Sequence, residues 1–118
     1  MKLIRIGYWS DGDETWPDVH GFVDADWDED ERLDAVHYLR RGVLVHAYLG
    51  LSRCRMCGKF NGSVELSDLV YVWPEGLAHY VSEHNVRLPG EFMGHIKTRT
   101  DLMDDVEIDD SWWRGLRR

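Results

Sequence analysis

The chain has 118 residues, 22 acidic and 14 basic side chains, a formal net charge of −8 and 43% hydrophobic content. That length fits one domain with one core, and six Trp with five Tyr argue against disorder, because such a chain can bury enough surface to offset its ordering entropy. No apolar run approaches the roughly 18 residues of a membrane span, the start Met1-Lys2-Leu3-Ile4-Arg5-Ile6 lacks the features of a signal peptide, and net acidity disfavours a broad phosphate-binding surface.

A soluble, cytoplasmic protein without a membrane partner is therefore expected. Residues 2–9 alternate loosely and are rich in Ile, Tyr and Trp, which predicts a first strand. Asp11-Gly12-Asp13 reads as a turn, and residues 19–25 as a second strand. Asp28 caps a helix whose first turn is acidic, with Leu33, Val36, His37 and Arg40 on one face and Gly42 as the stop. Residues 43–49 are apolar enough for a buried strand. A tight turn, Arg53-Cys54-Arg55-Met56-Cys57-Gly58-Lys59, leads to a strand over 64–73. Pro74 suits a first helical position, which predicts a helix through about His84. Leu88-Pro89-Gly90 breaks it, residues 91–98 form a short further helix, and 101–118 make an acidic tail that ends in Trp112-Trp113-Arg114-Gly115-Leu116-Arg117-Arg118. These elements predict a single α+β domain over 1–118, with a small, mostly antiparallel sheet and two or three helices. The tail over 101–118 is expected to be either docked through its tryptophans or flexible, docking being favoured because Trp offers a large area to bury.

The charge is unevenly spread. Residues 1–34 carry −8, residues 35–63 carry +5 with no acid, and the two following segments, 64–100 and 101–118, carry −2 and −3. The basic island, Arg40, Arg41, Arg53, Arg55 and Lys59, is a candidate anion patch on grounds of local potential. Ordinary solvation and complementarity to the acidic flanks account for it more simply.

The two cysteines lie in Cys54-x-x-Cys57. A tight turn at this spacing brings both thiolates to one point, and Gly58 lets the chain curl with backbone N–H groups near sulfur. Zinc takes four ligands, so two more must come from elsewhere. The nearest donors are His79 and His84, which gives C-x2-C-x21-H-x4-H. Positions five apart on a helix differ by about 140°, so both histidines reach one ion only if the last helical turn loosens or tightens. Glu83 and His95 are reserve ligands. Inert buried thiols and redox thiols are the competing readings. Arg53, Arg55 and Lys59 would favour thiolate, yet Gly58, Asn61 and Gly62 follow the pair in place of the helix a thioredoxin-like site needs.

Cys54-Arg55-Met56-Cys57-Gly58-Lys59, with Leu77, His79 and His84, resembles the two-Cys two-His zinc finger, although its spacer is 21 residues rather than about 12. The resemblance implies metal binding by Cys54, Cys57, His79 and His84 in an enlarged zinc-finger-like knuckle embedded in the larger domain. Residues 38–96, especially Cys54-Arg55-Met56-Cys57-Gly58 and Trp73-Pro74-Glu75-Gly76-Leu77-Ala78-His79-Tyr80-Val81, also resemble a family of uncharacterised bacterial proteins. That likeness implies a shared fold and metal site and nothing about role.

Other signals are weaker. Asp24-Ala25-Asp26-Trp27-Asp28 fails as a calcium loop, because the sixth and twelfth positions are Glu29 and Ala35 where glycine and a bidentate Glu belong. His37 and His46 read as satisfied core histidines, and His20 and His95 are scattered. No phosphate loop, nucleophile elbow or Ser-His-Asp grouping stands at motif spacing. The leading expectation is a non-enzymatic protein with a structural zinc that acts through protein–protein contacts. Nucleic-acid binding through the basic island is the first alternative, and a zinc hydrolase with an open metal position and Glu83 as base is the second.

Overall fold

The computed structural model describes residues 1–12 and 15–117, with Tyr48 and Leu49 described through their backbone alone. Asp28 starts helix α1 (Glu29–Arg40) by accepting a hydrogen bond from the Glu31 N–H at 3.0 Å. Glu29, Asp30 and Glu31 fill its first turn and His37 and Arg40 its last, as the helix dipole favours. Ala35, Val36 and Leu39 are its buried side chains. His37 lies outside that stripe and is exposed, so it is no core histidine.

Among the described residues four strands form one sheet: β1 (Ile4–Arg5), β2 (Val43–Arg53), β3 (Phe60–Ser67) and β4 (Tyr71–Pro74), in the order β1-β4-β3-β2. β1 and β4 run parallel; β2–β3 and β3–β4 are antiparallel. Helices α2 (Leu77–His84), α3 (Gly90–Asp104) and the single turn α4 (Ser111–Arg114) complete an α+β fold. Trp73, fully buried, donates its indole N–H to the Leu39 carbonyl at 3.1 Å and so ties β4 to α1. Phe92 of α3, also buried, stands edge-on to Tyr38, Tyr71 and Trp73.

Several local expectations give way to side chains that compete for the backbone. Residues 19–25 are not a strand: Val19–Phe22 is a 3-10 turn capped by Asp18, which accepts the His20 N–H at 2.9 Å. Val23 alone bridges to Val86. The run 64–73 divides because the Asp68 carboxylate accepts the N–H groups of Val70 and Tyr71 at 3.0 and 2.8 Å, and Leu69 takes a φ of 74°. A local side-chain bond of this kind outcompetes the sheet ladder. Pro74 closes β4 instead of opening α2, since the Glu75 N–H still pairs with the Val64 carbonyl at 2.9 Å.

The strand predicted as buried at 43–49 lies at the sheet edge, with Val43, Leu44 and Val45 all exposed. His46 there is exposed too, its Nδ1 3.3 Å from the buried Glu65 carboxylate, which is a surface pairing and not a core one. Helix α3 runs six residues past the predicted 98, to Asp104. Beyond Arg99 every described residue is exposed, and Trp112 and Trp113 are 74% and 71% accessible. The tail's two indoles are not buried against the fold; they lie against one another, 6.2 Å between centroids.

Candidate metal centre

The knuckle is built by the connection from β2 to β3. The Cys54 N–H donates to the Lys59 carbonyl and the Gly58 N–H to the Cys54 carbonyl, both at 2.9 Å. Gly58 turns the chain with φ 74°, a conformation that side chains with a Cβ resist. The Met56 N–H points at Cys54 Sγ, 3.4 Å away, the backbone-to-sulfur contact that the curl of the turn allows. The Arg55 N–H donates to the Tyr80 hydroxyl at 2.7 Å, so the turn is clamped onto α2 one residue from His79. Burial, with the nearby Cys54 thiol, raises the Tyr80 pKa and keeps the hydroxyl protonated.

Helix α2 supplies the imidazoles. Its last turn is loose: the Asn85 N–H reaches the Tyr80 carbonyl five residues back, and Asn85 adopts the left-handed conformation at φ 51°. A hydrogen bond of five-residue span widens the turn and carries His84 round toward His79, so their rings stand 5.1 Å apart. The 140° objection is met by the helix end and not by a change in the ligand set. Cys54, Cys57, His79 and His84 each place one donor atom so that all four lie within 4.8 Å of one another. Cys57 Sγ is 3.4 Å from His79 Nε2. Four ligands at about 2.3 Å for sulfur and 2.0–2.1 Å for nitrogen stand roughly 3.3–3.8 Å from each other around a tetrahedral ion, so modest side-chain motion would gather them.

Two observations test whether a metal ion fits. His84 Nε2 is buried and has no hydrogen-bond partner among the described residues, a costly state for a polar nitrogen that coordination would relieve. Burial, then the neighbouring His84, lowers the His79 pKa and favours the neutral imidazole that binds metal. The group can hold a metal ion, and its two sulfur and two nitrogen donors suit a borderline-soft one.

The other nominated residues lie elsewhere. Glu83 is exposed on α2 and is not among the four. His95, on α3, places Nε2 2.8 Å from Asp68 Oδ2. The basic island is divided: Arg40 and Arg41 precede β2, whereas Arg53, Arg55 and Lys59 sit at its far end on the knuckle. Eleven residues of strand, at about 3.3 Å each, keep the two groups from forming one patch.

One polar centre escapes sequence reasoning. Asp68, at the β3–β4 turn, accepts hydrogen bonds from the Tyr38 hydroxyl of α1 at 2.5 Å and faces His95 of α3, while Arg99 donates to its backbone carbonyl at 2.9 Å. Burial works against its charge, yet the bonds from Tyr38, Tyr71, Val70 and His95 together lower its pKa. Burial and the Asp68 carboxylate raise that of Tyr38.

Comparison of the chain with models of protein families, with curated proteins and with solved structures finds no match. No helix among the described residues is long and apolar enough to cross a membrane.

Proposed function

We propose that this is a non-enzymatic zinc-binding protein in which the ion is structural and the working surface is a protein-interaction surface. One observation carries the metal part: four protein donors within 4.8 Å of one another, of which His84 Nε2 is buried and unpartnered. Four protein ligands close a zinc site, whereas a catalytic zinc keeps a position for water. The ion would join the β2–β3 connection, through Cys54 and Cys57, to α2, through His79 and His84. It would thereby staple the edge of the sheet to a helix of the core. Zinc, and not copper or iron, is favoured by the mixed sulfur–imidazole set and by the role of a redox-silent staple.

The interaction part rests on what the staple leaves uncovered. Trp112, Trp113 and Leu116 project from an acidic stretch at the C-terminal side of the fold, and exposed aromatic anchors are the residues that dominate protein–protein binding energy. Nucleic-acid binding gains less support, because the basic side chains divide between the two ends of β2.

Cobalt substitution tests the closed site. Intense absorption of a tetrahedral thiolate–imidazole centre, unchanged by added azide or cyanide, is expected; a spectrum that shifts with those anions, through an exchangeable position, overturns the structural role in favour of an open site.

A further inference from the structure

Between β2 and β3 the register slips: Ala47 pairs with Val64 but Ser52 pairs with Gly62, so three residues more are spent on β2 than on β3. Extra residues of this kind re-aim a strand, and they are over-represented at sheet edges, where β2 lies, and beside active sites. Here Gly50, Leu51 and Ser52 form one wall of a cavity of about 430 Å³, within the range of small-molecule sites. Gly50 holds φ at 130°, which only glycine adopts without strain. The slipped stretch of β2 thus borders the cavity.

The remaining lining combines two chemistries. Tyr8, Trp9, Trp16 and Tyr80 supply aromatic rings, with Tyr8 and Trp16 5.5 Å apart and Trp9 edge-on to Tyr80 at 6.1 Å. Arg53 and Arg55, on either side of Cys54, supply positive charge. Both guanidiniums are held in place: Arg53 donates to the Gly58 carbonyl at 3.2 Å and lies 4.2 Å above the Phe60 ring, and Arg55 donates to the Arg53 carbonyl at 3.0 Å. A guanidinium has five N–H donors, so one carbonyl bond orients each group and leaves most of its donors for a ligand. Asp11 is the single acid among the described lining residues, 3.9 Å from Arg55.

We propose that this cavity binds a small planar aromatic anion, with its ring against Trp16 and Tyr8 and its negative group on Arg53 and Arg55. An aromatic cage alone would also accept a cation, but among the described lining residues Arg53 and Arg55 against Asp11 oppose that. A bare anion would use the arginines and leave the exposed Trp16 ring uncovered. The negative group is a phosphate ester or a carboxylate; both present paired oxygens to the guanidinium fork.

Calorimetric titration of the full chain tests this with four probes: adenosine 5′-monophosphate, benzoate, inorganic phosphate and tetramethylammonium. Saturable binding of at least one of the first two is expected, at least tenfold tighter than inorganic phosphate or tetramethylammonium, and which of them binds identifies the anionic group. Arg53→Gln with Arg55→Gln should weaken it about tenfold or more, and Trp16→Ala should weaken it while circular dichroism and metal content stay as in the parent protein. Neither substitution touches a Cys54, Cys57, His79 or His84 side chain, so the metal reading stands or falls separately. The proposal is overturned if neither aromatic anion saturates, if the arginine variant binds unchanged, or if phosphate or tetramethylammonium binds as tightly.

Discussion

Replacing Asp68 with alanine removes the most heavily used hydrogen-bond acceptor described in the fold. Its Oδ1 takes the Val70 and Tyr71 N–H groups that set the β3–β4 turn, and its Oδ2 takes the Tyr38 hydroxyl of α1 and faces His95 Nε2 of α3. A typical net contribution is about 1 kcal/mol per bond, and more where the acceptor is charged. Four such bonds give an expected loss of roughly 3–5 kcal/mol, a large part of the about 5–15 kcal/mol that holds a domain folded. Asp68→Asn keeps an oxygen for the turn but not the charge, and should lose about half as much. Urea denaturation at pH 7 reads both: with a slope of about 1–3 kcal/mol per molar, the alanine midpoint should fall by roughly 2 M.

The pH dependence has a definite sign. A carboxyl whose pKa is lower in the folded chain than its ordinary value of about 3.9 stabilises fully above that value. The contribution is lost as pH falls through the lowered, folded pKa of Asp68. The gap between parent and Asp68→Ala should therefore narrow as pH falls below about 4.5, by the part that depends on the charge. A loss under about 1 kcal/mol at pH 7, an asparagine variant as damaged as the alanine one, or a gap that does not change with acid would each refute the account of this centre.

Further substitutions probe other links. Phe92→Ala should cost about 3–5 kcal/mol, because Phe92 is fully buried among Tyr38, Tyr71 and Trp73; thermal denaturation checks it. Gly7→Ala should cost about 2 kcal/mol or more, since φ is +78° and the new Cβ would lie 2.6 Å from the fully buried Leu77 side chain, and a small midpoint shift in urea would contradict that crowding. Trp112→Ala with Trp113→Ala should change stability by no more than about 0.5 kcal/mol, given their exposure; a clear drop in melting temperature would show that the tail packs on the fold after all.

What the sequence made legible follows from how local each signal is. The Asp28 cap, the acidic first turn of α1 and the Cys54-x-x-Cys57 knuckle are decided within a few residues, and the structure has them where the letters place them. The gathering of His79 and His84 depends on the loose end of α2, whose one local signal is Asn85, asparagine being among the few residues that tolerate the left-handed conformation. Residues 64–73 misled because β-branched and aromatic content continues across the turn, and only the Asp68 side chain interrupts it. The edge position of β2 and the cavity beside it depend on which strands become neighbours, and no local pattern carries that information. His95 and Asp68, 27 residues apart, meet only because α3 folds back over the β3–β4 turn.

The central claim is that an ion held by Cys54, Cys57, His79 and His84 staples the sheet to α2. Its most direct test is elemental analysis of the protein purified without added metal, followed by circular dichroism before and after a strong chelator. About one zinc per chain is expected, with loss of folded structure on its removal and recovery when zinc alone is returned. A metal-free preparation that is fully folded and indifferent to chelator and to zinc would contradict the account.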